Sequence, residues 1–333
     1  MIARAAVGPA RRSYRGTPGE EPALFVYVAR RIVQLVPVMF LVSLIVFSTM
    51  HILPGDPAEL MLAGAEGGAI SAERIAELRS TMGLDDPLAV QYLRFLGNAL
   101  QGDLGTSIRF RSSVTNLVLD RFPYTMRLAL VGLVFAVVLG VTAGAAAAVW
   151  RGTWIDTATM MLSFVGVSMP IFWLGLLLIF FFGMQLQWLP VSGTADWRSL
   201  VLPGFTLGFV SAALISRLTR TSLIEVMQED YVRTARSKGL GEWQTLVRHI
   251  AKNAMIPVVT VIGLQFGGML AGAVVTEVVF SRPGLGRLIV NAILWKDYPL
   301  IQGAVLFTAV TYILVNLLVD LTYAWLDPRI RYA

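Results

Sequence analysis

Few residues of this chain have types and spacings suited to covalent chemistry, and ATP hydrolysis is the first reaction that the sequence excludes. A phosphate-binding loop needs Gly-Lys-Ser/Thr, because its backbone amides and the lysine ammonium hold the phosphates. The three lysines, Lys238, Lys252 and Lys296, follow a serine, an alanine and a tryptophan. Any ATP must therefore be hydrolysed by another chain.

Metal and thiol chemistry are equally restricted. The chain has no cysteine, which excludes disulfides, thiolate metal sites and cysteine nucleophiles. The two histidines, His51 and His249, are predicted on opposite sides of a membrane, so they do not supply enough ligands for a zinc site. We expect no catalytic residue, metal or cofactor on this chain.

One arrangement of residues resembles the active site of an intramembrane serine protease, a class of membrane protein with six transmembrane spans. Gly166-Val167-Ser168 supplies a Gly-x-Ser nucleophile, and His51 is the candidate base. At about 1.5 Å of helix rise per residue, Ser168 would lie roughly 20 Å above the inner face and His51 roughly 30 Å. A Ser–His hydrogen bond needs about 3 Å. The protease stays a distant alternative, and Pro170 is interpreted as a helix kink.

The composition is that of an integral membrane protein. Hydrophobic residues make up 56% of the 333 residues and charged residues 14%, which is too apolar for a soluble domain of this length. Six nearly charge-free windows are long enough to cross a bilayer core of about 30 Å as helix. They are Ile32–Leu53, Leu128–Trp150, Thr157–Met184, Leu200–Ser216, Val258–Thr276 and Pro299–Val319. The sequence therefore predicts an all-α protein with six transmembrane helices.

The distribution of arginine and lysine orients these spans, because cytosolic loops carry an excess of positive charge. The short segments predicted to be cytosolic carry Arg30, Arg31, Arg151, Arg329 and Arg331. The connection 185–199 on the other side has only Arg198. Both termini are therefore predicted in the cytosol, and 54–122 and 281–298 outside. The net charge of +6 then reflects topology, and no nucleic-acid partner is expected.

Two outer segments are predicted to have structure of their own. Ser71 can cap a helix that runs to about Met82 and stops at Gly83, and Asp86-Pro87 can open a second, amphipathic helix up to Leu100. This pair could lie on the lipid bilayer or receive a soluble partner. In the loop 187–193, an aromatic anchor and a stiff turn supply further docking candidates: Trp188, Pro190, Val191 and Ser192.

The most distinctive polar segment is 217–252, which contains seven lysines and arginines. Its pattern predicts a helix, a break at Gly239 where the missing Cβ permits a left-handed turn, and a second helix from Gly241-Glu242. The residues Trp243, Leu246, Val247 and Ile250 are spaced to form one apolar face of that second helix. We call the part of this segment from Glu229 to Ala251 the elbow and predict that it contacts a cytosolic partner.

The elbow sequence resembles the cytoplasmic loop of binding-protein-dependent ABC importer permeases. In the peptide importers this loop typically reads D-Y-V-R-T-A-R-A-K-G-L followed by N-A-L-I-P; here Asp230 to Leu240 reads D-Y-V-R-T-A-R-S-K-G-L, and Asn253 to Pro257 reads N-A-M-I-P. Three further strings resemble the first permease subunit of dipeptide and oligopeptide importers. They are L-P-G-D-P at 53–57, G-D-L-G-T-S at 102–107, and E-V-V-F-S-R-P-G-L-G-R-L at 277–288.

The resemblance implies a permease subunit of a bacterial cell membrane, with a six-helix domain at 29–333 after a cytosolic tail at 1–28. Its implied partners are a second homologous permease, two cytosolic ATPase subunits and an extracytoplasmic peptide-binding protein. Its implied substrates are dipeptides or short peptides, with nickel, glutathione or haem as alternatives. Within the coupling loop 217–257, the implied ATPase contacts are Tyr231, Arg233, Thr234, Ala235, Lys238, Gly239 and Leu240.

Polar residues inside the predicted spans are candidates for the substrate path, since such groups at membrane depth are often functional. The candidates are Ser168, Ser211, Gln265 and Glu277. Gly263, Gly267, Gly268 and Gly272 are spaced for close helix packing on the fifth span. A secondary transporter is a further alternative, but its typical inverted repeat and broken helices are not evident in the sequence.

Overall fold

The fold is helical throughout the part of the chain that the computed structural model describes, namely residues 20–52, 58–59, 72–194 and 196–326. Beside the helices, an isolated antiparallel bridge joins Thr106 and Ser113. The predicted all-α class is confirmed. The predicted N-terminal cap at Ser71 lies outside the described residues.

Twelve α-helices follow one another along the described chain. They are α1 (Glu20–Ile52), α2 (Ala72–Met82), α3 (Leu88–Leu100), α4 (Val114–Val149), α5 (Trp154–Ser168), α6 (Ile171–Leu178), α7 (Val201–Met227), α8 (Asp230–Ser237), α9 (Glu242–Thr245), α10 (Lys252–Val279), α11 (Leu285–Trp295) and α12 (Tyr298–Leu326). Two π-helical segments, Ile179–Gln185 and Leu246–Ala251, continue α6 and α9, and a 3-10 turn, Trp197–Leu200, leads into α7.

Five of these helices, α1, α4, α7, α10 and α12, are long and apolar enough to cross a membrane. The helices α5 and α6 pass the same test only as a pair, and they are bent by 108° relative to each other. The kink predicted at Pro170 is therefore confirmed as a break between two helices within the predicted third span. Met169 adopts extended backbone, with φ −83° and ψ 125°, because the ring of Pro170 disfavours helical backbone at the preceding residue.

The fourth span is longer than the sequence predicts. The window Leu200–Ser216 ends before Arg217, but α7 continues to Met227. Two arginines of the predicted polar segment 217–252, Arg217 and Arg220, consequently lie on α7, a helix long and apolar enough to cross a membrane. Both have neighbours on α5, since the Arg217 guanidinium lies over the Phe164 ring and Arg220 pairs with Asp156.

The centre of the bundle is the crossing of α4 and α7. Glycines on α4 face the α7 backbone so closely that an added Cβ at Gly140 would lie 2.8 Å from Ile215, and one at Gly144 2.4 Å from the Ser216 carbonyl oxygen. In return, a Cβ at Gly208 would lie 2.3 Å from the Gly132 carbonyl oxygen. Small residues at intervals of four allow this close approach and the dispersion contacts that stabilise it.

The glycines predicted to pack closely on the fifth span behave differently from one another. A Cβ at Gly267 would meet the Asn316 side chain at 2.6 Å, so that glycine does serve a close contact, between α10 and α12. A Cβ at Gly268 would meet nothing within 4 Å. The closest helix contacts made through glycines are therefore on α4. The sequence signal for them is the spacing of Gly132, Gly140 and Gly144 by multiples of four residues.

The two helices predicted between Ser71 and Leu100 are confirmed as α2 and α3, and their position outside the membrane stays a prediction. Gly83 ends α2 with φ +65°, and Pro87 precedes α3. The aromatic side of α3 packs against α1, where the Tyr92 and Ser43 hydroxyls are hydrogen bonded at 2.7 Å and the Tyr92 and Phe47 ring centroids are 5.4 Å apart. This contact fixes α3 at the end of the bundle that lies opposite the elbow. We call the two ends the elbow end and the far end.

Candidate functional site

The elbow has the predicted geometry. The helix α8 ends near Lys238, and Gly239 follows with φ +80°, a left-handed conformation that glycine adopts without a Cβ penalty. The Gly239 amide donates to the Arg236 carbonyl oxygen at 2.9 Å, which satisfies one of the last carbonyls of α8. Gly241 then precedes α9. The two short helices are therefore joined by a defined turn.

The inner side of the elbow is apolar and anchored to the transmembrane helices. Val232 and Ile250 are 0% and 1% exposed, and they belong to one buried cluster with Ala148 of α4, Leu223 of α7 and Ala254 of α10. Burial of side chains of this size stabilises the contact by about 1.5–3 kcal/mol each. A displacement of the elbow would therefore be transmitted to three transmembrane helices at once.

The apolar face predicted for the second elbow helix is divided in the structure. Leu246 and Ile250 pack inward, whereas Trp243 is 75% exposed and Val247 48% exposed. The π-helical turn of Leu246–Ala251 changes the angular spacing of these side chains, so four residues spaced for an α-helix do not share one face. The exposed pair adds apolar surface to the outer side of the elbow.

The outer side of the elbow carries charge. Arg233 is paired with Asp230 at 3.7 Å, and Arg236 with Glu242 at 3.0 Å, and all four side chains are substantially exposed. Tyr231 is 40% exposed, and its hydroxyl accepts a hydrogen bond from the Asn253 side chain at 2.8 Å. Of the residues implied as ATPase contacts, Tyr231, Arg233, Thr234, Lys238 and Gly239 are exposed, Leu240 is half-buried, and Ala235 is buried.

A buried ion pair joins α5 to α7 at the elbow end. The Arg220 guanidinium donates from Nε to Asp156 Oδ1 and from Nη2 to Oδ2, the latter at 2.7 Å. The Gly152 amide donates to the same carboxylate at 3.0 Å. Sequence reasoning did not find this pair, because its members are 64 residues apart and were assigned to a connection and a loop.

The far end is held together by a second buried carboxylate, that of Asp297. The side chain is fully buried and accepts hydrogen bonds from the Ser107 hydroxyl and from the amides of Ile108 and Arg109, the amide distances being 3.1 and 3.0 Å. It thereby connects the segment before α4 to the start of α12. The motif string at 102–107 thus meets Asp297 through its last residue, Ser107.

Glu277, a predicted path residue, is likewise a buried carboxylate that joins distant segments near the far end. It is 1% exposed, and its carboxylate accepts hydrogen bonds from the Thr125 hydroxyl of α4 and from the Arg287 amide of α11 at 3.1 Å. A Cβ at Gly284 would lie 2.0 Å from its Oε1 atom. In this conformation both oxygens of Glu277 are occupied by contacts within the chain, and its role in a path stays a prediction.

Arg282 ties the predicted docking loop to the same end. Its guanidinium donates to the carbonyl oxygens of Gly193 and Ser199, at 3.2 and 3.0 Å. Burial lowers the pKa of Arg282 from its ordinary value, an effect that the nearby Glu277 carboxylate opposes. The loop is thus fixed at its base by a buried cation.

The docking candidates on that loop differ in exposure. Trp188 is 63% exposed, and its ring lies 5.9 Å from that of Phe182. Pro190 and Ser192 are exposed, and the half-buried Val191 lies so close to Gly183 that a Cβ there would meet its side chain. The loop therefore folds back on the π-helical segment after α6 and presents Trp188, Pro190 and Ser192 outward.

Two of the remaining path candidates lie side by side. The Gln265 amide of α10 donates to the Ser211 hydroxyl of α7 at 3.0 Å, which places a polar pair between two helices long and apolar enough to cross a membrane. Ser168 is exposed at the end of α5, beside the helix break. Within the described residues, no hydrogen bond joins its hydroxyl to a histidine or a carboxylate, and the His51 side chain lies outside the described residues.

The comparisons with known proteins agree with this architecture. The model of a family described as "Binding-protein-dependent transport system inner membrane component" matches residues 136–332, and a model of the N-terminal part of such components matches residues 24–129. The chain belongs to this family. It is a multi-pass permease subunit of an ABC importer, of the type found in dipeptide and oligopeptide systems, and the resemblance stated from the sequence is confirmed.

The relatives include glutathione transport system permease proteins GsiC. Those of Escherichia coli strain K12 and of Salmonella paratyphi A are each 46% identical to this chain over 306 residues, which cover 92% of this chain and 99% of the relative. That of Shigella flexneri serotype 5b is 45% identical over the same share.

Two solved structures share the fold. The inward-facing MetNI methionine ABC transporter matches with a TM-score of 0.54 and 16% identity, over 63% of this chain and 96% of the other. An amino acid ABC transporter crystallised with histidines matches with a TM-score of 0.50 and 18% identity, over 63% and 94%. At these identities the likeness shows the fold alone.

Proposed function

We propose that this permease subunit imports short peptides, with glutathione among them, and that the elbow couples it to cytosolic ATPases. The observation that carries the proposal is the two-sided elbow, which is buried against α4, α7 and α10 on one side and is charged and exposed on the other. A partner that binds the outer side would displace the elbow as a rigid body, and the buried contacts of the inner side would transmit this displacement to three spans.

The remaining partners follow from the same reading. A second homologous permease would complete the path, two ATPase subunits would each meet one elbow, and an extracytoplasmic peptide-binding protein would deliver the substrate. In this arrangement the chain performs no covalent chemistry, and the ATPase subunits hydrolyse the ATP. The preference for short peptides rests on the glutathione permeases at 46% identity and on the motif strings of the peptide importers.

Uptake by the reconstituted complex tests the transport function. Proteoliposomes that contain the permease pair, the ATPases and the binding protein are expected to accumulate a radiolabelled dipeptide or glutathione when ATP is supplied inside. Ni²⁺ and haem serve as competing substrates. Accumulation of nickel or haem without any peptide would replace the proposed substrate class and leave the permease assignment intact.

Cross-linking tests the coupling role of the elbow directly. The native chain has no cysteine, so Lys238→Cys gives a single reactive position on the exposed side of the elbow. We expect it to cross-link to an ATPase chain bearing a surface cysteine, and we expect Asp85→Cys at the far end not to do so. Cross-links from Asp85→Cys alone would place the ATPase at the wrong end of the bundle.

The same two variants test orientation. We propose that both termini and the elbow are cytosolic and that 54–122 is outside, because the described arginines Arg31, near the start of α1, and Arg151, after α4, lie towards the elbow end. An impermeant maleimide should label Asp85→Cys in intact cells and Lys238→Cys only after permeabilisation. The reverse pattern would invert the topology.

We also propose that the loop 187–193 and the helices α2 and α3 receive the binding protein. The support is the exposure of Trp188, Pro190 and Ser192 and the hydrogen bond by which the buried Arg282 holds the end of this loop, at the Gly193 carbonyl oxygen. Shortening 190–197 should reduce uptake and the stimulation of ATP hydrolysis by the binding protein, while basal hydrolysis is retained. If stimulation survives the deletion, the loop is only an interfacial anchor, and α2 and α3 become the remaining candidates.

A further inference from the structure

A cleft of about 160 Å³ lies at the far end, between the first turns of α4 and the helix α11. Two arginines contribute to its lining, Arg121 from α4 and Arg287 from α11, together with the side chain of Asn291. None of the described residues that line the cleft is acidic, and its aromatic wall consists of Phe110 and Trp295. The cleft therefore combines cationic hydrogen-bond donors with an aromatic surface.

The two arginines of the cleft have donors available for a ligand. Neither guanidinium is ion-paired with a carboxylate of the described residues. The Arg287 guanidinium donates from Nη1 to the Ser281 carbonyl oxygen, which restrains its position. Because a guanidinium has five N–H donors, this bond leaves most of them to other groups. Both arginines are half-buried, so water screens their attraction for an anion less than at an open surface.

The aromatic wall of the cleft is held in place by its own contacts. The Phe110 and Trp295 rings meet edge to face, with their centroids 5.5 Å apart. The Arg109 guanidinium lies over the Trp295 ring at 5.8 Å, which brings a third cation beside the cleft. Phe110 is 43% exposed and Trp295 42% exposed. Arginine and tryptophan are enriched among the residues that dominate the energy of protein–protein interfaces, so this combination suits a protein partner.

The cleft lies beyond the apolar part of the spans. Arg121 precedes Leu128, where the charge-free stretch of α4 begins, by seven residues or about 10 Å of helix. Two further exposed cations, Arg111 and Lys296, directly follow the two residues of the aromatic wall in the chain. Membrane proteins concentrate lysine and arginine in their cytosolic segments. A cluster of cations at the end opposite the elbow therefore requires a reason other than topology.

The cleft is continuous with the surface proposed for the binding protein. Pro283 and Gly284 line the cleft, and Arg282, the residue before them, donates to the Gly193 carbonyl oxygen of the loop 187–193. A cavity of about 150 Å³ holds a group the size of benzene. The cleft is therefore large enough for one side chain and too small for a whole tripeptide such as glutathione.

We propose that this cleft receives an aspartate or glutamate side chain of the extracytoplasmic binding protein. The inference rests on the proposed function and specifies how that partner docks. The guanidinium groups of Arg121 and Arg287 would form charge-assisted hydrogen bonds with the carboxylate. The aromatic wall would contact the apolar stem of the same side chain. The positive charge of the cleft would also attract an acidic surface before contact, so docking would depend on the salt concentration.

The first test measures docking by the complete importer in proteoliposomes, with the binding protein that supports uptake by the wild type. The measured quantity is the concentration of binding protein that gives half of the maximal stimulation of ATP hydrolysis. Arg121→Gln and Arg287→Gln should each raise it about tenfold or more, because each removes a charge-assisted hydrogen bond. Added salt should raise it more for the wild type than for the double variant. Arg151→Gln, at an exposed position of the elbow end, is the control and should not change it.

A cross-link without a spacer tests the chemistry of the partner. In Arg287→Lys a carbodiimide should join the new amine to a carboxylate that touches it, since this reagent condenses an amine and a carboxylate into an amide. Mass spectrometry should then locate the amide bond between position 287 and an aspartate or glutamate of the binding protein. Arg151→Lys places an amine at the elbow end and should give no such product.

Several results would overturn the inference. An amide bond to the second permease would assign the cleft to the contact between permeases, and one to a labelled dipeptide would assign it to the substrate. Unchanged half-saturating concentrations in both glutamine variants would remove the cleft from docking. A lower maximal stimulation at an unchanged half-saturating concentration would assign the arginines to folding, and a shift confined to vesicles with phosphatidylglycerol would assign them to a lipid headgroup.

The same measurements separate this inference from the proposed function. If no binding protein stimulates ATP hydrolysis by the wild-type importer, the proposed function fails and the inference falls with it. If stimulation is normal and the cleft variants match the wild type, the inference alone fails.

Discussion

The two ends of the bundle use charge in opposite ways. At the elbow end, Val232 and Ile250 are buried against the spans while the charged side chains of α8 point outward. At the far end, Asp297, Glu277 and Arg282 are buried and bonded to backbone groups of distant segments. An apolar contact is non-directional and tolerates small shifts, whereas a buried charge requires particular partners at particular distances. The elbow is therefore suited to movement and docking, and the far end to keeping its shape.

The largest expected difference comes from removing the buried carboxylate of the far end. Asp297→Ala leaves the Ser107 hydroxyl and the amides of Ile108 and Arg109 without their acceptor, and each such buried donor costs about 1–3 kcal/mol. We expect a loss of several kcal/mol in the free energy of unfolding, measured by thermal unfolding in mixed micelles. The control is Asp103→Ala, because the exposed Asp103 carboxylate accepts one hydrogen bond from the described residues, that of the Gly105 amide. Similar stability of the two variants would contradict the argument.

Two glycine-to-alanine substitutions test the rigidity of the far end by adding one methyl group each. In Gly284→Ala the new Cβ would meet the Glu277 carboxylate, and overpacking of this kind costs about 1–3 kcal/mol. In Gly268→Ala the Cβ meets nothing within 4 Å, and a helical alanine should stabilise by about 0.5–1 kcal/mol. Opposite shifts in unfolding temperature are expected. Destabilisation by Gly268→Ala in the assembled importer alone would reveal a partner packed at that position.

At the elbow the expected effect on stability is smaller and the effect on function larger. Gly239 has φ +80° and open space around its Cβ position, so Gly239→Val costs only about 1–2 kcal/mol of backbone strain. We nevertheless expect it to abolish uptake while the protein stays in the membrane. Gly239→Asn tolerates the same backbone conformation and distinguishes two causes. If Gly239→Asn shows normal uptake, the defect of Gly239→Val is caused by backbone strain. If Gly239→Asn also fails to transport, the defect is caused by a close approach of the ATPase to this position. Wild-type uptake by Gly239→Val would remove the elbow turn from the coupling mechanism.

The smallest effect is expected for the exposed pair of Arg236 and Glu242. Pairs in solvent contribute about 0–1 kcal/mol, because water and salt screen them. A double-mutant cycle with Arg236→Ala and Glu242→Ala should give a coupling energy of less than about 1 kcal/mol for the isolated chain. A larger coupling energy would show that the elbow end also depends on its ion pairs and would weaken the contrast with the far end.

The local elements were predictable because their causes lie within a few residues. The stop at Gly83, the start at Pro87 and the turn at Gly239 follow from backbone preferences of glycine and proline. The kink at Pro170 was predicted, but the size of the bend, 108°, was not, because it depends on how the two helices pack. The fourth span was ended at Arg217 because a charge was taken as the edge of the membrane, a reading that relied on hydropathy alone.

The sequence by itself determined the class of this protein, its helical segments, the breaks between them and the motifs of a peptide-importer permease, since apolar length, turn residues and motif spacing are local properties. Only the tertiary structure decided which side chains meet. Ser107 and Asp297 are 190 residues apart, and Asp156 and Arg220 are 64 apart. It also decided that Arg220 pairs with Asp156 while Arg217 lies over the Phe164 ring, because two arginines three residues apart on α7 meet different side chains of the same neighbouring helix, α5.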